Sequence, residues 1–229
     1  MEKAIMAWSG GKDSAMALYE IRKLREYDVV ALLTTVTQDY GRVSMHGVCE
    51  VLLEEQAASI GLPLEKALIS KDCDNAKYEE AMAEVLTRYA ATGVTSVIFG
   101  DIFLEDLRLY RENKLASVGL KGVFPLWKRD TAKLARDFIR SGFRSVLTCV
   151  DSKALDGSFA GRVFDEELLN SLPANVDPCG ENGEFHSFAF DGPIFGKKIE
   201  FKTGETILRD NRFYYCDLIS GRQRCFQKS

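Results

Sequence analysis

The sequence predicts an α/β fold: a parallel five-stranded sheet flanked by helices, joined to a smaller C-terminal α+β unit. Three observations predict it. Short apolar runs alternate with 3.6-residue periodicity through the first 150 residues. The run 29–36, Val-Val-Ala-Leu-Leu-Thr-Thr-Val, is almost wholly apolar, as a strand covered on both faces requires. Beyond residue 150 the pattern changes to loops and closely spaced strands.

Taken in order, residues 3–8 form a first strand. Residues 13–26 form a helix with Ala17, Leu18, Ile21 and Leu24 on one face. The second strand follows at 29–36. A helix over 47–60 ends at Gly61 and Pro63, and 64–69 is a third strand. Tyr78, Ala81, Met82, Val85, Leu86 and Tyr89 form a core stripe on a helix over 75–92, stopped by Gly93. Residues 95–100 are the fourth strand and Ser145–Val150 the fifth, with helices near 104–117 and 130–141; Asp130 caps the latter. A short helix near 165–172 precedes strands at 185–190, 198–202, 206–208 and 213–218. Gly192-Pro193, Thr203-Gly204 and Asp210-Asn211 are the turn signals between them. The expected division is 1–125 and 126–229.

The 229 residues carry 30 basic and 34 acidic side chains, a net charge of −4. That balance argues against a general nucleic-acid binder. No apolar run is long enough to span a bilayer, and the start lacks the plan of a signal peptide, so a cytoplasmic protein is expected. Six cysteines contain no C-x-x-C pair. Free thiols are therefore expected, without a zinc ribbon or redox pair.

The most informative segment is Ser9-Gly10-Gly11-Lys12-Asp13-Ser14, between the first strand and the first helix. Ligands of parallel α/β sheets bind beyond the carboxyl ends of the strands. The two glycines allow a sharp turn and close backbone approach. Exposed amides and the positive end of the helix dipole favour an anion. Ser9 and Ser14 add hydroxyl donors, and Lys12 adds a point charge. Asp13 would repel a phosphate unless a cation lay between them, which points to Mg²⁺ held at Asp13. The plainer reading is a Gly-Gly turn with an Asp or Ser cap. Neither Walker A nor G-x-G-x-x-G is present.

The hexapeptide resembles the PP-loop, S-G-G-x-D-S, of the N-type ATP pyrophosphatases. Further segments narrow the resemblance: Arg42-Val43-Ser44-Met45-His46-Gly47-Val48, Phe99-Gly100-Asp101-Ile102, Phe124-Pro125-Leu126-Trp127 and Cys149-Val150-Asp151. The strongest is Cys179-Gly180-Glu181-Asn182-Gly183-Glu184-Phe185-His186-Ser187-Phe188. Together they look like the diphthine–ammonia ligase family, across nearly the whole chain.

That resemblance implies a HUP-type, Rossmann-like ATP-binding domain and a C-terminal substrate-recognition domain. It implies ATP and Mg²⁺, with ammonium and a carboxylate as further partners; in the family's named reaction the carboxylate is diphthine on elongation factor 2. A homo-oligomer is admitted, a membrane partner is not. Ser9 to Ser14 would bind the phosphates and Thr34 and Thr35 the adenine. Asp101 would hold Mg²⁺ or substrate, or simply cap the helix after it. Arg42, His46, Glu181, Asn182 and Glu184 would meet the acceptor. Glu184 and His186, on one face of an extended segment, would handle the proton of ammonium. Arg108 and Arg111, near the mouth of the fourth strand, could reach phosphate but read first as ordinary helix-surface pairs.

Other readings stay open. In a bacterium the acceptor would be a small-molecule carboxylate, such as a corrinoid intermediate. A tRNA-thiolating relative would need a basic appended domain and paired cysteines. A non-catalytic ATP-binding HUP protein would not need both Lys12 and Asp13.

Overall fold

The computed structural model describes residues 1–37, 42–43, 48–70 and 75–221. The first unit comprises β1 (Glu2–Ala7), α1 (Lys12–Leu24), β2 (Tyr27–Thr37), the short β3 (Arg42–Val43) and α2 (Glu50–Ile60). It continues through β4 (Leu64–Ile69), α3 (Asn75–Ala91), β5 (Ser96–Ile98), α4 (Glu105–Ala116) and β6 (Lys121–Val123). Five strands run parallel, with β1 between β2 and β5, β4 outside β2 and β6 outside β5. β3 pairs antiparallel with the end of β2, Val43 opposite Val36.

The alternation of β1 explains its central position. Ala4, Met6 and Trp8 pack on one side with Leu18 and Ile21 of α1 and Leu52 and Leu53 of α2. Ile5 packs on the other side with Val85 and Leu86 of α3 and Leu115 of α4. Side chains of period 2 thus feed two cores, and both faces of the sheet are covered. The second helix stops where expected: Gly61 is left-handed (φ 80°) and donates its N–H to the Ala57 carbonyl.

The second unit comprises α5 (Thr131–Arg140), β7 (Arg144–Asp151), α6 (Glu166–Ser171), β8 (Phe185–Asp191), β9 (Phe201–Arg209) and β10 (Phe213–Ser220). Asp130 caps α5, its carboxylate accepting from the Lys133 amide at 2.7 Å. The strands form an antiparallel sheet in the order β8-β7-β10-β9.

Three expectations change. The strand at 145–150 exists, but it is β7 of the antiparallel sheet. The fifth parallel strand is β6, whose three residues include Gly122 and are too short to show a period. The segments 198–202 and 206–208 are not separate strands: β9 runs from Phe201 to Arg209 through Thr203-Gly204. The register of β10 against β9 shifts between Cys216 and Leu218, so β9 carries an extra residue beside Gly204. A glycine marking a bulge reads in sequence like a turn. Finally, Cys149, Cys179 and Cys216 are free and buried, but Cys49 is disulfide-bonded, against the expectation of free thiols throughout.

The two units share one core. Trp8 and Leu53 of the first belong to the same buried cluster as Phe185, Phe188 and Phe190 of the second. β8 docks on the turn before α1, the Ala189 amide donating to the Gly10 carbonyl at 2.8 Å. Among the described residues no helix is long and apolar enough to cross a membrane.

Candidate active site

A cleft of about 490 Å³ opens at the carboxyl ends of β1, β2 and β5. The Ser9–Ser14 turn forms one end, and Gly180–Gly183 with Phe185–Ser187 of the second unit closes over it. Toward the other end the walls are apolar: Leu33, Val97, Met82, Leu86, Leu104 and Leu107. Thr34 and Thr35 line the cleft from β2.

The turn is built as its residues demand. Gly10 is left-handed (φ 77°), a conformation costly for other side chains. The Ser9 hydroxyl accepts from the Gly11 amide and donates to the Ser14 hydroxyl, both at 3.2 Å. Ser14 in turn donates to the Gly11 carbonyl at 2.9 Å. Gly11 stands at the helix N-cap and has no side chain to cap α1; the Ser187 hydroxyl of β8 accepts from the Lys12 amide at 3.2 Å, and the positive end of the helix dipole faces the cleft. Gly100, after β5, touches the start of α1: a β-carbon there would lie 2.8 Å from the Asp13 carbonyl carbon.

Lys12 is only 3% exposed. Its Nζ donates to both carboxylate oxygens of Asp13 at 2.8 Å and to the Cys179 carbonyl. The ammonium also lies 5.4 Å from the ring centre of Phe185 and 5.7 Å from that of Phe164. Burial, the largest single cause, pushes its pKa down, but Asp13, Cys179 and Glu181 together outweigh it and the net shift is upward. Lys12 is therefore a buried cation that joins the turn to the second unit.

Two further carboxylates line the cleft. Asp101 pairs with the Arg111 guanidinium, Nε at 2.8 Å, and that guanidinium lies over the Phe99 ring at 4.5 Å. Burial raises the pKa of Asp101 against the pull of Arg111. Glu181 accepts from the amides of Ile102 (2.7 Å) and Phe103 (3.3 Å), so it ties the second unit to the loop after β5. Burial pushes its carboxyl up to about 7; those amides oppose the shift and the charges of Asp13 and Asp101 add to it.

Glu184 and His186 are not side by side in the cleft. Glu184 is buried behind the loop, accepting from the Asp177 amide (3.1 Å) and the Asn182 side chain (2.9 Å). His186 lines the cleft, and burial, with Lys12 adding to it, lowers its pKa to about 4. Of the expected face of Glu184, His186 and Phe188, only His186 reaches the cleft. Glu184 precedes β8 and turns toward Asp177, and Phe188 is fully buried.

Arg42 lies on β3, where its backbone pairs with Thr37; His46 lies outside the described residues. Among the described residues no three His, Cys, Asp or Glu side chains form a ready metal cluster. Asp13 and Asp101 do line one cleft, so they fit a cation that brings phosphate and water oxygens of its own.

Several residues of the site escaped the sequence reading. Tyr78, Met82 and Leu86, read as core, line the cleft, as does Arg111, read as a surface pair. Gln56 is fully buried beneath the turn. Its signal was a polar residue inside the apolar stripe Leu52, Leu53, Ala57 and Ile60.

Comparison with protein families matches residues 1–122 to the diphthamide synthase N-terminal domain and 130–220 to the diphthamide synthase C-terminal domain. The chain belongs to the diphthamide synthase family. Relatives named diphthine–ammonia ligase agree. The one from Rattus norvegicus is 25% identical over 223 residues, covering 87% of this chain and 83% of that protein. The one from Schizosaccharomyces pombe is 27% identical over 220 residues, covering 87% of this chain but 36% of its own length. A third, from Danio rerio, is 33% identical over 123 residues, 52% of this chain and 48% of that protein. The two family domains meet at the cleft, the first supplying the turn and the second Glu181 and His186.

Proposed function

We propose that the chain is an ATP-dependent ligase that adenylates a carboxylate and couples it to ammonium, releasing AMP and pyrophosphate. The observation that carries this reading is the Ser9–Ser14 turn at the mouth of β1, facing an apolar slot on one side and acidic side chains on the other. The triphosphate lies along the turn, with adenine in the slot near Thr34 and Thr35. The names of the relatives support diphthine as the acceptor; its place on elongation factor 2 is taken from the family's named reaction. The domain division is taken as 1–125 and 126–229, and the compartment as the cytoplasm.

In the first step a carboxylate oxygen attacks the α-phosphorus and the bond to the β-phosphate breaks. The amides at the start of α1, with the hydroxyls of Ser9 and Ser14, stabilise the charge on the departing pyrophosphate, an electrostatic task. Lys12 holds Asp13 and the second domain in place and adds its charge to the same end. Asp13 and Asp101 would hold a magnesium ion brought by ATP, which would supply positive charge to offset that of the phosphates. In the second step ammonia attacks the acyl carbon and AMP leaves. Glu181, with a pKa of about 7, accepts a proton from ammonium at neutral pH. His186, neutral there, offers a lone pair to orient the nucleophile. Glu184 acts through the loop that carries Glu181.

The test is incubation with ATP, Mg²⁺, ammonium and either diphthine-bearing elongation factor 2 or a pool of cell carboxylates. AMP release that depends on acceptor and ammonium is expected. Tight ATP binding without AMP under every condition would reduce the protein to a nucleotide sensor.

A further inference from the structure

We propose that Gln56 is a positioning residue: it sets the shape of the Ser9–Ser14 turn and locks the second domain onto it. Gln56 belongs to α2 and does not line the cleft. Its side chain is 0% exposed, and each of its polar atoms is engaged. The amide nitrogen donates to the Gly10 carbonyl at 2.9 Å and to the Ala189 carbonyl at 2.6 Å. The amide oxygen accepts from the Trp8 indole at 2.8 Å. One side chain thus grips the end of β1, the turn itself and β8 of the second domain.

The chemistry of the group fits this task and few others do. Two carbonyl oxygens face it from one side and an N–H donor from the other. A carboxamide matches that pattern with two donors and one acceptor. Glutamate would set an oxygen against two carbonyls, and methionine would take this partner from the Trp8 indole and from both the Gly10 and Ala189 carbonyls. The Gly10 carbonyl also accepts from the Ala189 amide, so turn and strand are joined twice at the same residue. A side chain at Gly10 would come within 2.9 Å of the Gln56 oxygen, so the glycine and the glutamine are fitted to one another. Without the Gln56 bonds the Gly10 carbonyl keeps only the Ala189 amide, and the turn loses one of the two anchors that fix its shape.

The test uses the full chain with Gln56→Met, which keeps the volume, and Gln56→Glu, which keeps the shape. Inorganic pyrophosphate is the binding probe and amide hydrogen exchange the structural one. Both variants are expected to melt cooperatively. Exchange at the amides of residues 10–14 and at Ala189 should rise, with α3 unchanged. Affinity for pyrophosphate should fall about tenfold in Gln56→Met, the usual consequence of orphaning buried partners, and further in Gln56→Glu. A merely structural role would lower the melting temperature and leave affinity and local exchange as in the wild type; that result overturns the proposal. The choice of pyrophosphate rests on the ligase reading. A wild type that does not bind it would sink that reading, while exchange at residues 10–14 still decides the role of Gln56.

Discussion

Lys12 Nζ stands 2.8 Å from both carboxylate oxygens of Asp13, its neighbour in the chain. Consecutive residues inside a helix do not face one another. The pair forms because it sits at the first turn of α1, where the Cys179 carbonyl and the rings of Phe164 and Phe185 hold the ammonium in place.

Lys12→Met should remove the charge while keeping the packing. AMP formation is expected to fall about 10²- to 10³-fold, the usual effect of deleting one preorganised donor or charge. Asp13→Asn should instead strand the buried ammonium and destabilise the fold by about 2 kcal/mol, less than a fully buried pair because Asp13 is partly exposed. Calorimetric melting and turnover, measured on both variants, separate the two effects. Wild-type turnover in Lys12→Met would remove that residue from the site.

Glu181 makes a prediction about pH and stability. Its folded pKa of about 7 lies above the ordinary value of 4.5, so the folded state binds the proton more tightly. Its contribution is fully present below pH 4.5 and is lost as pH rises through 7. Glu181→Gln should flatten the fall in stability between those limits. Urea unfolding at closely spaced pH values reads this directly. An unchanged profile would show that the carboxyl is not perturbed.

Gly100→Ala tests the contact between β5 and the turn. The added methyl would meet backbone atoms of Asp13 and Ser14 at 2.8–3.0 Å, and backbone cannot swing aside as a side chain can. The expected cost is about 1–3 kcal/mol of stability. Nucleotide affinity should drop as well, because the displaced Ser14 amide is among those proposed to face the phosphates. Affinity and melting temperature equal to the wild type would mean that the turn tolerates the shift.

Much of this site was legible in sequence because it is local. Ser9 to Ser14 are contiguous, and their place between an apolar run and an amphipathic helix fixes the geometry. Most of the parallel core was legible for the same reason: β1, β2 and β4 show their pattern within six to eleven residues, whereas β6 has only three. What was not legible is set by tertiary contacts. Nothing in the spacing of Glu181 and Glu184 tells which one faces the cleft; Gly183, left-handed at φ 86°, precedes the carboxylate that turns away. The stripe Tyr78, Met82 and Leu86 reads as core because an apolar slot for a ligand and a core have the same periodicity. Gln56 takes its meaning from Gly10 and Ala189, which lie 46 and 133 residues away.

His186 offers a direct spectroscopic check. The chain holds two histidines, so His46→Asn leaves a single imidazole to follow by NMR. Burial, and then the charge of Lys12, depress its pKa to about 4 from 6.5. The ring should stay neutral as pH falls through 6, where an exposed histidine is already mostly charged. The unfolded chain takes up that proton first, so this residue's contribution to stability is present above pH 6.5 and lost as pH falls toward 4. Adding Lys12→Met should raise the midpoint only part of the way, because burial is the larger cause. A midpoint near 6.5 in the single variant would show that the imidazole is solvated. It would then be a proton carrier at neutral pH, and the division of labour with Glu181 would have to be reversed.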